Sequence, residues 1–235
     1  MPEIRILELI EGAREARGFT VIIDVLRAFS LECYLYAKGA SLVRPVGSME
    51  EAFALRDRFP GSLMIGERGG RKIDGADFGN TPSGIRPEDV AGKTIFHTTS
   101  AGTQGIVNAQ GATEIVTGSL VNARAVAAYI REKAPEQVSL VAMGNNGIRR
   151  APEDVLCAEY IRGLVLGTPM ADLREQSLRL PTEGAEHFFN PATQDVFPEP
   201  DFWLCMEADR FPFVLRIEKD ELGFKSVRTE IHTLS

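Results

Sequence analysis

The stretch FTVIIDVLRAF, residues 19–29, decides the fold class. Five apolar or β-branched residues run into Asp24 without alternation, and the spacing then turns helical. Such a run reads as a strand buried on both faces, Phe19 to Asp24, feeding a helix from about Arg27 to Lys38 that Gly39 closes. The same unit recurs down the chain. SLVRPV (41–46) reads as a strand, and Ser48 with Glu51 forms a capping box for the helix MEEAFALRDRF (49–59), which Pro60-Gly61 stops. SLMIGER (62–68) and KTIFHTT (93–99) are strands, the second running into a helix, GTQGIVNAQG (102–111). TEIVTGS (113–119) and QVSLVAMGN (137–145) are two more, separated by a helix, NARAVAAYIREKAP (122–135), with Ser119 or Asn122 as its cap. The helix APEDVLCAEYIRGLVLG (151–167) follows, with Pro152 and two acids in its first turn. Six strands alternating with helices predict a three-layer α/β/α fold on a largely parallel sheet, mixed at the edges. FPFVLRIEKD (211–220) and SVRTEI (226–231) read as closing strands after a Pro- and aromatic-rich segment, 187–203. The chain reads as one domain, 1-235, with 1-110 and 111-235 as the lobes if it divides into two closely packed parts.

The composition narrows the function. With 44% hydrophobic residues among 235, the chain can bury a sizeable core. Its net charge of −7 comes with no basic tract, which argues against nucleic acid or an anionic membrane as partner. No stretch approaches the ~20 apolar residues of a membrane span, and no secretory leader is evident at the N-terminus. Cys33, Cys157 and Cys205 are odd in number and far apart, so neither a disulfide framework nor a CxxC metal knuckle is indicated. A reducing cytoplasm fits. Nothing in the sequence fixes the oligomeric state, and a homodimer is compatible with it.

Ligands of an open α/β sheet bind beyond the carboxyl ends of its strands. Those ends gather Asp24, then Glu67 with Arg68, then Thr98, Thr99, Ser100, Ala101, Gly102 and Thr103, then Gly118-Ser119 and Gly144-Asn145-Asn146. The hydroxyl- and glycine-rich loop after His97 has the composition of an anion cradle at a helix start. An ordinary turn capped by Ser100 is the competing reading. The loop lacks the Lys of GxxxxGK[ST] and does not match GxGxxG, which disfavours a nucleotide triphosphatase and the usual dinucleotide site. Asp24, at the end of a buried strand, calls for a partner. That partner is either Arg27, in a structural ion pair, or a hard divalent ion such as Mg²⁺, with Glu67 and Asp77 as further oxygen ligands. Arg68, Arg71 and Lys72 could meet an anionic substrate or simply be solvated. Glu153 and Asp154 read first as acids serving a helix dipole, with a link to the metal as the second reading. A Cys-x5-Arg loop, an Asp-x-Asp pair and an HExxH spacing are all absent. His97 reads as a satisfied core or near-site histidine, and Cys157 as packing.

VIIDVLRAFS (21–30), IGERGGRKIDGADFGNTP (65–82), HTTSAGTQGI (97–106) and PEDVLCAEYI (152–161) occur in that order and at that spacing. Together they resemble the 2-phosphosulfolactate phosphatase, or ComB, family over roughly Val21 to Leu166. The resemblance implies a Mg²⁺-dependent acid phosphatase of α/β fold that hydrolyses a small phosphorylated 2-hydroxy acid bearing a sulfonate. In that family the step leads toward sulfolactate and, in methanogens, coenzyme M. Carried over by position, the family's motif residues are Asp24, Arg27, Glu67, Arg68, Asp77, Asn80, Thr98, Thr99, Gly102, Thr103, Glu153 and Asp154. The expected catalytic set is Asp24, Arg27, Glu67 and Arg68. Asn80, Thr98, Thr99, Ser100, Gly102 and Thr103 are the expected substrate binders, and Asp24, Glu67 and Asp77 the expected Mg²⁺ ligands. Phe29 stands where the family has a hydroxyl residue, Ser-Ala-Gly-Thr replaces Asn-Gly-Thr, and Thr81 replaces a Ser before Pro82. These departures leave open a noncatalytic protein that binds a small phosphate or sulfonate anion.

Overall fold

The computed structural model describes residues 2–232. In chain order the elements are β1 (Glu3–Glu8), α1 (Leu9–Glu15), β2 (Gly18–Ile23), α2 (Ala28–Ala37), β3 (Leu42–Pro45), α3 (Met49–Arg58), β4 (Leu63–Arg68) and β5 (Arg71–Lys72). Then come α4 (Pro87–Val90), β6 (Thr94–Thr98), α5 (Gly102–Asn108), β7 (Ala112–Gly118), α6 (Ala123–Lys133) and β8 (Gln137–Ala142). The chain ends with α7 (Pro152–Leu166), α8 (Leu173–Arg179), α9 (Glu199–Cys205), β9 (Phe213–Asp220) and β10 (Gly223–Glu230).

Ten strands form one sheet in the order β1-β8-β2-β7-β9-β10-β3-β6-β4-β5. Parallel pairing holds within β1-β8-β2-β7 and again within β3-β6-β4. Antiparallel pairing appears at the β5 edge, and also in the middle, where the β9–β10 hairpin joins the two parallel parts. The three-layer, largely parallel α/β fold is therefore present, with an antiparallel insert at its centre as well as at its rim. Alternation along each strand sends side chains to opposite faces. Phe19, Val21 and Ile23 pack with α6 and α7, whereas Ile22 packs with α1 and α5. Further along the sheet Ile65 and Ile95 face α2, and Met64 and Phe96 face α3. Burying β2 on both faces is what its unbroken apolar run requires.

The cap expected at Ser48 is present, its side chain accepting from Glu51 N at 3.1 Å. Residues 3–15, which precede the first strand expected from sequence, form β1 and α1. β1 pairs with β8 on one side alone, and its Glu3 and Arg5 alternate with Ile4 and Ile6, as suits an edge. The long polar segment after β4 is ordered by a few buried anchors, Ile73, Ala76, Asn80 and Ile85. No helix among the described residues is long and apolar enough to cross a membrane.

Two crossings bring distant strand ends together. α2 leaves β2 and packs toward β3, while α5 leaves β6 and packs on α1, β2 and α2. The loop that joins β6 to α5 is thereby carried to the end of β2.

Candidate active site

A cleft of about 460 Å³ opens at the carboxyl ends of β2, β4 and β8. Four carboxylates line it: Asp24, Glu67, Glu153 and Asp154. Asp24 ends β2, and its Oδ1 accepts the Ala28 N–H at 3.1 Å where α2 begins. Gly102, at the start of α5, approaches so closely that a Cβ there would lie 2.9 Å from Asp24 Oδ2. Any larger residue would push α5 away from the carboxylate. Burial pushes the Asp24 carboxyl up to about 6, with the charge of Glu67 adding to the effect and backbone N–H groups of Ala28 and Gly102 opposing it.

Glu67 is the tie between β4 and the loop after β6. Its Oε1 accepts from Ser100 N at 2.7 Å, and its Oε2 accepts from Gly70 N at 2.6 Å and Ser100 Oγ at 3.2 Å. Thr99 and Thr103 close a reciprocal latch: Thr103 Oγ1 receives Thr99 N at 3.0 Å and donates to Thr99 O, while Thr99 Oγ1 receives Thr103 N at 3.1 Å. Protein acceptors therefore already engage the N–H groups of Thr99, Ser100, Gly102 and Thr103. Where the sequence suggested an open anion cradle, the carboxylates of Glu67 and Asp24 take the anion's place. What the loop offers the cleft is Ser100 and Ala101.

Arg27 does not pair with Asp24. Its Nη1 donates to Asp201 Oδ2 at 2.8 Å and its Nη2 to Gly70 O at 3.1 Å, and Phe188 and Phe197 flank the guanidinium at 5.5 and 5.2 Å. Asp201, wholly buried on α9, also accepts from Thr81 Oγ1 at 3.1 Å and Ser83 N at 2.8 Å. The glycine at position 70 lets Phe197 lie against the backbone there, a contact no Cβ could share. The guanidinium is thus fixed from three sides, with N–H groups left over at the cleft it lines.

Glu153 and Asp154 matter more than their reading as helix-end acids suggested. Asp154 Oδ1 accepts from Val25 N at 2.7 Å and Oδ2 from Gly144 N at 2.8 Å, pinning the ends of β2 and β8 to α7. Burial lifts Asp154 well above the usual range, and the charges of Asp24 and Glu153 add to that. Burial likewise lifts Glu153 to about 7, with Asp24 contributing. Glu153 Oε2 is buried with no hydrogen-bond partner. Glu153 lines the same cleft as Asp24.

Of the residues expected from sequence, Asp24, Arg27, Glu67, Asn80 and Ser100 share this cleft. Arg68 alternates with Glu67 to the opposite face of β4, donating to Glu67 O at 2.7 Å and Thr98 Oγ1 at 3.0 Å beside a neighbouring groove. Thr98, Thr99, Gly102 and Thr103 brace the site without lining the cleft. Asp77 is not brought to it. Its Oδ2 accepts from Met64 N at 2.8 Å, near the opposite end of β4 from Glu67. Arg71 is exposed. Gly144, Asn145 and Asn146, expected at the end of β8, line the cleft too, and His187, Phe197 and Arg149 line it without having been singled out. The Arg149 guanidinium has no ion-pair partner among the described residues. His187 packs edge-on against Phe197, and burial, with Arg27 nearby, holds its imidazole below the usual value and neutral at pH 7. Only its place in the aromatic segment 187–203 could have flagged it.

The fold and this cleft define an α/β protein whose strand ends gather carboxylates and an anchored guanidinium around one cleft. The family model described as 2-phosphosulpholactate phosphatase matches residues 4–183. The chain belongs to that family, and it is a phosphatase of it. Relatives named "Probable 2-phosphosulfolactate phosphatase" include proteins of Bacillus subtilis, 27% identical over 202 residues, and Thermotoga petrophila, 40% identical over 169. The alignments cover 85% of this chain and 87% of the first, and 72% and 68% for the second. One of Carboxydothermus hydrogenoformans is 37% identical over 157 residues, covering 67% of this chain and 64% of its own length.

Proposed function

We propose that this protein is a Mg²⁺-dependent phosphomonoesterase that hydrolyses a small phosphorylated 2-hydroxy acid, 2-phosphosulfolactate, to sulfolactate and phosphate. The observation that carries the metal is the buried, unpartnered Oε2 of Glu153, a residue that lines the same cleft as Asp24. An all-oxygen donor set of this kind suits a hard cation. Among the described residues no three His, Cys, Asp or Glu side chains are placed to hold an ion unaided. That is compatible with Mg²⁺, which typically takes one or two carboxylates and completes its shell with water and substrate phosphate. Asp24 and Glu153 would be those carboxylates, with Glu67 as the brace beside them. The bound ion would polarise a phosphoryl oxygen and template the reacting groups.

The chain's own residues do the rest. Arg27, held by Asp201 and two rings, presents fixed N–H donors to charge on the phosphoryl oxygens, a role in which rigidity lowers the reorganisation needed during reaction. Arg149 offers a second cation to the acidic groups of the substrate's organic part. Neutral His187 can donate a hydrogen bond to an oxygen on the same wall. Water supplies the oxygen that ends on phosphate, and the alcohol oxygen of the substrate takes a proton. The three cysteines are free and buried, which suits the reducing cytoplasm to which we assign the protein.

Purified protein with 2-phosphosulfolactate and Mg²⁺ should release phosphate through many turnovers, and chelation should stop it. Saturable binding of the substrate without release would instead identify an anion-binding protein.

A further inference from the structure

Behind the cleft runs a file of buried polar groups that the phosphatase reading leaves idle. His97, on β6, and Glu32, on α2, have no exposed surface, and His97 Nδ1 lies 2.9 Å from Glu32 Oε1. Ser226 Oγ, on the central hairpin, donates to Glu32 Oε2 at 2.9 Å. On its other side His97 Nε2 lies 3.2 Å from Asn80 Oδ1. Asn80 is 4% exposed and lines the cleft. Apolar side chains of similar volume would pack this region at least as stably as an acid and an imidazole. The polar pair therefore invites a reason other than stability.

The direction of one hydrogen bond supplies it. A carboxamide oxygen can only accept, so a ring nitrogen facing Asn80 Oδ1 must carry the hydrogen. Asn80 Nδ2 then points away from His97, and it has no protein partner among the described residues. If Nε2 bore a lone pair, Asn80 would turn over and show an acceptor oxygen to the cleft, which repels an anion.

We infer that His97, braced by Glu32, is a positioning residue that holds the Asn80 amide with its NH₂ group toward the cleft, as a donor to an oxygen of the anionic substrate. The inference rests on the function proposed above for the identity of that oxygen, though not for the orientation of the amide. Glu32 and Ser226 keep the ring from rotating, so the setting is transmitted from the core of the sheet to its ligand-facing end.

Nitrogen-15 shifts of the histidine rings in the unmodified protein test the orientation directly. Only three histidines are present, and the spectrum of His97→Gln identifies the one in question. A protonated Nε2 is expected; an Nε2 with a lone-pair shift overturns the inference. Kinetics give a second reading. His97→Gln retains an N–H able to reach Asn80 Oδ1 and should stay within roughly tenfold of the parent in kcat/KM, whereas His97→Phe should raise KM by roughly tenfold or more with a smaller change in kcat. Equal KM values in the parent and both variants would overturn it. Asn80→Asp, which puts an acceptor where a donor is needed, should raise KM further than either. A protein that releases no phosphate would sink the phosphatase reading while leaving this one to the ring shifts, and a His97→Phe chain that fails to fold leaves the spectrum decisive.

Discussion

Glu153 stands in the first turn of α7, where an acid ordinarily faces solvent and complements the helix dipole. Here it is buried beside two other carboxyls, and one of its oxygens is unpaired. Its proton is therefore held up to about 7, and ionising it without a counter-cation opposes folding. Glu153→Gln keeps the shape and removes that charge. The metal-free variant should be more stable than the parent at pH 8 by on the order of 2 kcal/mol, while Mg²⁺-dependent phosphate release falls at least a hundredfold. Denaturant melts and a phosphate assay report the two halves, and a variant that turns over normally with Mg²⁺ removes Glu153 from the metal site. Asp201 makes the opposite case. Replacing it with Asn leaves the Arg27 guanidinium buried without its counter-charge, a loss of about 3–5 kcal/mol. Chemical unfolding should show it, and a stability within 1 kcal/mol of the parent would mean that Gly70 and the two rings hold Arg27 unaided.

α5 is a short helix with a large assignment, since it carries the loop after β6 across to Asp24. Its seven residues would be marginal alone, so the Thr99–Thr103 latch has to fix its first turn. Thr103→Val removes the hydroxyl that accepts Thr99 N in a fully buried place, and leaving that N–H unpaired should cost about 1–3 kcal/mol. The loop over Glu67 should loosen with it, seen as faster amide exchange at Thr99 and Ser100; unchanged exchange would show that Glu67 alone sets the loop. This element also marks what local pattern can and cannot reveal. β2, β4, β6 and β8 were legible because an apolar run ending in a polar residue is a local signal, and it put Asp24 and Glu67 at strand ends. Nothing local told that the amides of Thr99 and Ser100 would be claimed by Thr103 and Glu67, from within the loop and from across the sheet. Asp77 lies ten residues past Glu67 along a polar segment, yet folds back to the start of β4 rather than its end. Asp201 and His187 reach Arg27 and the cleft from a stretch with neither helical nor strand periodicity, beyond the residues matched by the family. The central place of β9–β10 was invisible for the same reason, because sheet order is set by long-range pairing.

At the scale of the whole molecule, the sheet concentrates negative charge at one end, and that should govern how stability depends on pH. Asp24 is raised to about 6 and Glu153 to about 7, and Asp154 is raised as well, all chiefly by burial. A carboxyl whose folded value lies above its unfolded value of about 4 keeps its proton in the folded chain after the unfolded chain has released it. The folded state then binds more protons, so the free energy of unfolding falls as pH rises through that interval. The metal-free protein should therefore lose stability as pH rises from about 4.5 through 7. Below about pH 4 the slope reverses, because Asp220 beside Arg44 and Asp89 beside Arg86 hold their carboxyls below the usual range and must be protonated there. A divalent cation that bound the ionised cluster and not the unfolded chain, as proposed, would restore stability by RT ln(1 + [L]/Kd), with Kd tightening as the carboxyls ionise. Melting temperatures measured from pH 4.5 to 8, with and without Mg²⁺, should diverge as pH rises. Two curves that stay parallel across that range would show that the ion does not bind at Asp24 and Glu153.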